Sequence, residues 1–215
     1  MDLGCGMGET SVYFAMQGVN VVATDISAGM LEITQKVAQE YHVAVTSHKS
    51  TAEDLNFTNG EQFDIVYAGF LMHHVNIEQT LCRLKNVMKP DATFICSEPI
   101  AYNPVINIYR KIAAKVRTED EHPLTRKDIK TIKKHFTTVK TKYFWFLSLI
   151  IFVLMAITTN PNKVRFWKKM VDEKKWSYIV RPFQFIGNIV LCIFPFLKWF
   201  CWTVVISAKN KVEIK

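Results

Sequence analysis

The sequence predicts an α/β fold, a doubly wound sheet with helices on both faces, and three observations carry that prediction. Helix and strand signals alternate along the chain, as a parallel sheet with crossover helices requires. A glycine-rich turn, Asp2-Leu3-Gly4-Cys5-Gly6-Met7-Gly8, opens the chain, and seventeen positions after Gly8 an acidic residue, Asp25, ends the apolar run Val19-Asn20-Val21-Val22-Ala23-Thr24. The composition, 49% apolar and 21% charged over 215 residues, suits one substantial α/β domain plus a modest addition.

The elements follow in order. Glu9–Gln17 reads as a helix closed by Gly18, and Val19–Thr24 as a buried strand. Ser27 caps a helix running to Tyr41, with Met30, Leu31, Ile33, Thr34 and Val37 at helical spacing. Val43–Ser47 and Phe63–Ala68 are strands. The helix from Ile77 to Val87 stops at Lys89-Pro90, because proline cannot continue it, and Ala92–Ser97 is the next strand. Asp128–Phe136 reads as helical, Thr138–Trp145 as strand-like and Thr203–Ala208 as a final strand. The strand that must precede Gly4 has only Met1 and Leu3 to build it. Losing a central parallel strand exposes both neighbours and leaves ladder groups unpaired. The expectation is therefore a fragment or a mis-assigned start, ahead of a genuinely shortened protein.

Five cysteines, Cys5, Cys82, Cys96, Cys192 and Cys201, are odd in number and never form a C-x-x-C pair, so neither a disulfide framework nor a zinc site is expected. With no basic-then-apolar leader at Met1, a reduced, cytoplasmic setting is expected, with peripheral contact at a membrane. The net charge of +8 conceals a split. Residues 1–100 hold 5 basic and 12 acidic residues, whereas residues 101–140 carry a net +6 and residues 141–215 a net +9 together with all five tryptophans. An acidic half is joined to a basic, aromatic one.

The glycine turn is chemically informative. Glycines let the backbone approach a ligand, the following helix offers free N–H groups, and a carboxylate at the tip of the next strand can accept hydrogen bonds from a ribose diol. A dinucleotide fingerprint, G-x-G-x-x-G, would put its third glycine at Glu9, whereas here it comes one residue early at Gly8.

An acidic residue two places before a G-x-G-x-G loop, followed by Asp25, resembles the first two motifs of class I S-adenosylmethionine-dependent methyltransferases with a methyltransferase type 11-like domain. Later segments are similar in order: Ala52-Glu53-Asp54-Leu55-Asn56-Phe57 to the adenine-side loop, Phe63-Asp64-Ile65-Val66-Tyr67 to the fourth strand, Leu71-Met72-His73-His74-Val75 to the segment after it, and Val87-Met88-Lys89-Pro90 to the turn before the fifth strand. The resemblance covers residues 1 to 100. It implies a Rossmann-like seven-stranded sheet, a cofactor-binding core over residues 1–100 and an acceptor or cap region over 101–215 that completes the sheet. The implied cofactor is S-adenosylmethionine, its methionine end held by Asp2, Gly4, Gly6 and Gly8, its ribose by Asp25, and its adenine beside the Ala52 backbone and the Glu53 side chain. Thr51 stands where many members have Asp, so Glu53 and Asp54 as plain solvated loop charges remain an even alternative. Where the family often has Lys-Pro-Gly-Gly, this chain has Lys89-Pro90-Asp91-Ala92, and a surviving turn is expected because aspartate tolerates turn conformations.

Methyl transfer to a hydroxyl wants a base, and histidine serves near neutral pH. His73 and His74 follow the fourth strand, at the carboxyl edge of the sheet where ligands sit, and are weighed against histidines that merely pack or cap there. His122, in Glu119-Asp120-Glu121-His122-Pro123-Leu124, falls in the region where such enzymes build acceptor specificity. That run suits orienting a hydroxyl, binding a metal, or simply forming an acidic loop, and no metal site is assigned.

In the basic half, Phe144–Ile157 is fourteen residues with Ser148 as the only polar one, and Phe185–Leu197 is thirteen with Asn188 inside. A span takes roughly 20 residues. Framed by Arg181, Lys198 and the Lys163–Arg181 stretch, these runs fit interfacial insertion, or equally an apolar cap lining a greasy acceptor pocket. Nucleic acid is not the expected partner, because the lysines interleave with apolar runs rather than lining a polar groove. The sequence reads as a methyltransferase acting on a hydrophobic or lipid-linked small molecule, at oxygen ahead of carbon or nitrogen. The alternative is a non-catalytic, membrane-associated protein that keeps the fold.

Overall fold

The computed structural model describes residues 1–57, 60–112, 121–158 and 174–209. Much of the Lys163–Arg181 stretch, with Trp167, and Glu119 and Asp120 lie outside the described residues. The elements run β1 (Asp2–Leu3), α1 (Glu9–Met16), β2 (Val21–Asp25), α2 (Ala28–Glu40), β3 (Val45–Lys49), β4 (Phe63–Gly69), α3 (Ile77–Val87), β5 (Met88–Pro99), α4 (Pro104–Ile112), α5 (Arg126–His135), β6 (Thr138–Phe144), α6 (Leu149–Thr158), α7 (Lys174–Ile193) and, after a 3-10 turn at Pro195–Phe200, β7 (Thr203–Lys209).

The strands form one seven-stranded sheet in the order β3-β2-β1-β4-β5-β7-β6, the Rossmann-like arrangement expected. The pairs β1–β2, β2–β3, β1–β4 and β4–β5 are parallel. From β1 the chain winds outward through β2 to β3, then crosses back to β4 on the other side of β1. The β1–β4 boundary is thus the topological switch point, and the loops leaving the carboxyl ends of these two strands open a crevice there.

In β1, Asp2 and Leu3 pair with Ala23 and Thr24 of β2, and Asp2 with Tyr67 of β4. Beside it lies an apolar groove of about 260 Å³ lined by Phe14, Val19, Val21, Phe63, Ile65 and Tyr67. Leu3, 1% exposed, is the apolar anchor of β1.

Several details differ from the sequence reading. β2 and β3 each begin two residues late, at Val21 and Val45. The buried face of α2 is Leu31, Thr34 and Ala38, while Met30 and Ile33 face outward, because Thr34 packs under the glycine turn. The Lys89–Ala92 turn does not form. β5 runs unbroken from Met88 to Pro99, and the surplus residues are absorbed by a register shift against β4, between Phe63 and Ile65, where Pro90 is tolerated. Lys89 Nζ donates to Asp64 Oδ1 at 2.7 Å across that irregularity.

The chain resolves into two compact units. The first comprises Met1–Glu98, Arg126–Thr141 and the chain from Ile206 on; the second comprises Pro99–Thr125 and Lys142–Val205. The second has its own core of Ile106, Leu149, Ile151, Phe152 and Val180, with Trp145 and Trp202 packed against it. Among the described residues no helix is long and apolar enough to cross a membrane.

Candidate functional site

The glycine turn leaves β1 at the switch point with Gly4, Gly6 and Gly8 all at positive φ, 69°, 54° and 80°. Gly4 and Gly8 are also closed by packing. A Cβ on Gly4 would meet Leu71 Cδ1 at 2.7 Å, and one on Gly8 would meet Thr34 at 2.6 Å. Gly6 differs: a Cβ there would meet nothing within 4 Å, so its bare face lines open space. That is the cradle a ligand would occupy, with the amino end of α1 behind it.

Asp25 ends β2 beside this turn. Its Oδ2 accepts from the Gly6 N–H and its Oδ1 from the Ser27 N–H, both at 2.9 Å. Each oxygen keeps a lone pair, so the carboxylate can brace the turn and still receive a diol. The next residue, Ile26, is 66% exposed, an apolar side chain standing at the surface where a flat base would rest. An open glycine face, a braced carboxylate and an exposed apolar side chain suit the hydroxyls and adenine of S-adenosylmethionine.

Asp2 is placed differently from the others. It is 2% exposed, and its Oδ2 accepts from Ser11 Oγ at 2.5 Å, so its side chain lies under the turn rather than in the cradle. Burial raises its carboxyl above the ordinary 3.8, the Ser11 hydrogen bond opposing. A folded-state pKa above the unfolded one means stability is lost as pH rises through that interval, and the cost persists at neutral pH. Asp2→Asn is therefore expected to raise the thermal midpoint at pH 7 and leave it unchanged in acid well below 3.8. A lowered midpoint at pH 7 would show that the charge itself is needed. Burial also pushes the Cys5 thiol up to about 11, so it stays protonated at neutral pH.

On the adenine-side loop Ala52 is buried and Glu53 is partly exposed. Glu53 Oε1 accepts from the Asn76 N–H at 2.9 Å, tying the loop to the start of α3. Thr51 Oγ1 accepts from the Asp54 N–H at 3.0 Å, so the threonine holds the turn.

Across the crevice, Leu71 against Gly4 carries the chain into His73 and His74. His73 is 6% exposed, and its Nδ1 lies 2.7 Å from Glu98 Oε2. Glu98, at 0% exposure the terminal acid of β5, accepts at Oε1 from the backbone N–H groups of Leu71 (2.9 Å) and Met72 (2.8 Å). With the carboxylate accepting on both oxygens, Nδ1 carries the ring proton and Nε2 keeps its lone pair. The half-buried His74 ring lies 4.1 Å from that of His73, centroid to centroid. His122 is exposed and belongs to the second unit.

Sequence reading missed Glu98. The signal was present: a charged residue stands next to last in an apolar strand at the carboxyl edge, where a buried charge must either bind something or be bound.

A profile described as a methyltransferase domain matches residues 1–96. The chain is 36% identical over 104 residues to a demethylmenaquinone methyltransferase of Symbiobacterium thermophilum, covering 46% of this chain and 41% of that protein. It is 33% identical over 98 residues to a ubiquinone biosynthesis O-methyltransferase of Rickettsia bellii, covering 45% of this chain and 40% of that protein. The chain thus matches about two fifths of the length of these curated relatives. Among solved structures, an S-adenosylmethionine-dependent methyltransferase of Thermotoga maritima superposes with a TM-score of 0.62 at 16% identity, over 98% of this chain and 80% of that one. The magnesium protoporphyrin IX methyltransferase of Synechocystis, with bound S-adenosylhomocysteine, gives 0.57 at 14% identity, over 98% and 73%. At these identities the likeness is one of fold.

Proposed function

We propose that this chain, whose residues 1–96 match a methyltransferase domain profile, methylates an oxygen of a hydrophobic, quinone-related small molecule with S-adenosylmethionine as donor. The buried Glu98–His73 pair carries the reading. Bound S-adenosylmethionine supplies an electrophilic methyl group on a sulfonium. The glycine turn and Asp25 hold the cofactor, with Ala52 and Glu53 on the adenine side and Asp2 bracing the turn from beneath. Glu98 fixes the imidazole tautomer, and His73 Nε2 takes the proton of the acceptor hydroxyl as the oxygen gains its methyl group. His74 flanks that ring. His122 is the further candidate base, and it stands or falls by its own variant.

The quinone-related acceptor is supported by the two relatives named above and by apolar surface in the second unit. Tyr178, Pro182, Phe185, Ile186, Ile189 and Ile193 recur at helical spacing along α7, and all are exposed, Phe185 at 68%. The stripe continues into exposed Phe194, Phe196 and Phe200, with Lys198 Nζ 5.6 Å from the Trp199 ring. An apolar stripe bordered by cations and aromatic rings suits the boundary of a bilayer, where a lipid-linked acceptor would be met.

Two measurements test this reading. With S-adenosylmethionine and a prenylated catechol or hydroquinone, the chain should form the methyl ether; cofactor binding without turnover on any such phenol would favour the non-catalytic alternative. In co-sedimentation the protein should pellet with anionic vesicles, less with neutral ones, and be partly released by salt, each cation near the surface contributing on the order of 1 kcal/mol. A protein left in the supernatant with both would assign the stripe to protein packing.

A further inference from the structure

Away from the crevice, we propose that Glu78, Cys82 and His135 form a three-ligand zinc site that pins α5 to α3. Glu78 and Cys82 stand four residues apart on α3 and so share one face of that helix. His135 is the last residue of α5, whose Ile129 and Ile132 are buried, as are Leu81 and Leu84 of the α3 it packs on. A carboxylate oxygen of Glu78, the sulfur of Cys82 and a ring nitrogen of His135 all lie within 4.8 Å of one another. Bond lengths of roughly 2.0–2.3 Å to one tetrahedral ion set its ligand atoms roughly 3.3–3.7 Å apart, so the Glu78–His135 contact would open while the more distant atoms close in, movements that two exposed side chains can supply.

The histidine is the rigid member. Its side chain is 9% exposed, its Nε2 lies 2.8 Å from Glu78 Oε1, and its Nδ1 is buried with no hydrogen-bond partner. The contact with Glu78 alone therefore orients a ring already positioned by the helix end. A thiolate, an imidazole and a carboxylate form the mixed set that zinc accepts, with the fourth position left to water. The next residue, Phe136, stacks on Phe94 of β5 at 5.7 Å, so a pin at His135 would secure the turn from α5 into β6.

Cobalt(II) titration of the reduced, chelator-treated full chain tests the proposal. One equivalent should produce the thiolate-to-cobalt charge-transfer band and the intense visible bands of a four-coordinate ion, and zinc should displace them. Cys82→Ser should abolish the charge-transfer band, while Glu78→Gln and His135→Gln should each weaken cobalt binding about tenfold or more. Cys82 is exposed, so its variant should fold, and circular dichroism checks this. A wild-type chain with no charge-transfer band, a band that survives Cys82→Ser, or an affinity unmoved by His135→Gln would overturn the site.

Discussion

His73→Gln is expected to lower the methyl-transfer rate on the order of 10²–10⁴-fold while leaving S-adenosylmethionine binding nearly intact. Glutamine can still donate to Glu98, so the loop from Leu71 to His74 keeps its anchor and the loss is one of chemistry. Glu98→Gln should cost nearly as much despite its matching shape. The Leu71 and Met72 N–H groups claim the amide oxygen. The amide nitrogen is left to donate to His73 Nδ1, which drives the ring proton to Nε2 and removes the base. The two losses should not add, because both remove one function. Rates near wild type for both, with matching variants of His74 and His122 also near wild type, would leave positioning alone as the source of catalysis.

Asp25→Ala is expected to weaken S-adenosylmethionine binding by roughly 10²–10⁴-fold, as follows from losing two charge-assisted hydrogen bonds worth about 1.5–3 kcal/mol each. The loss has a second origin here, because the Asp25 carboxylate also holds the Gly6 N–H and so keeps the cradle shaped. Asp25→Asn, which retains one carbonyl acceptor, should fall between the two. Calorimetry on the folded variants decides the matter, and unchanged affinity in Asp25→Ala would remove Asp25 from the cofactor site.

Much of this site is legible in the sequence, because its parts are backbone features. Positive φ at Gly4, Gly6 and Gly8 and the acid at a strand tip follow from local spacing, and α3 spans Ile77–Val87 as its pattern predicts. The Lys89–Ala92 stretch differs from its local turn propensity because it lies inside β5: it is carried as an irregularity against β4, and the paired register resumes at Thr93. The same limit applies to Glu53, whose contact with the Asn76 N–H no local pattern announces.

By itself the sequence determined the order of the strands, the glycine turn with its acidic partner, and the division of charge between an acidic half and a basic, aromatic one. Each is a matter of period, composition or spacing within a few dozen residues. Only the tertiary structure decided which polar groups meet. Glu98 reaches His73 across 25 residues, and His135 reaches Glu78 across 57. No local pattern encodes such pairings, because the sheet order, set by burying apolar faces over the whole chain, brings the carboxyl ends of β4 and β5 together and lays α5 along α3.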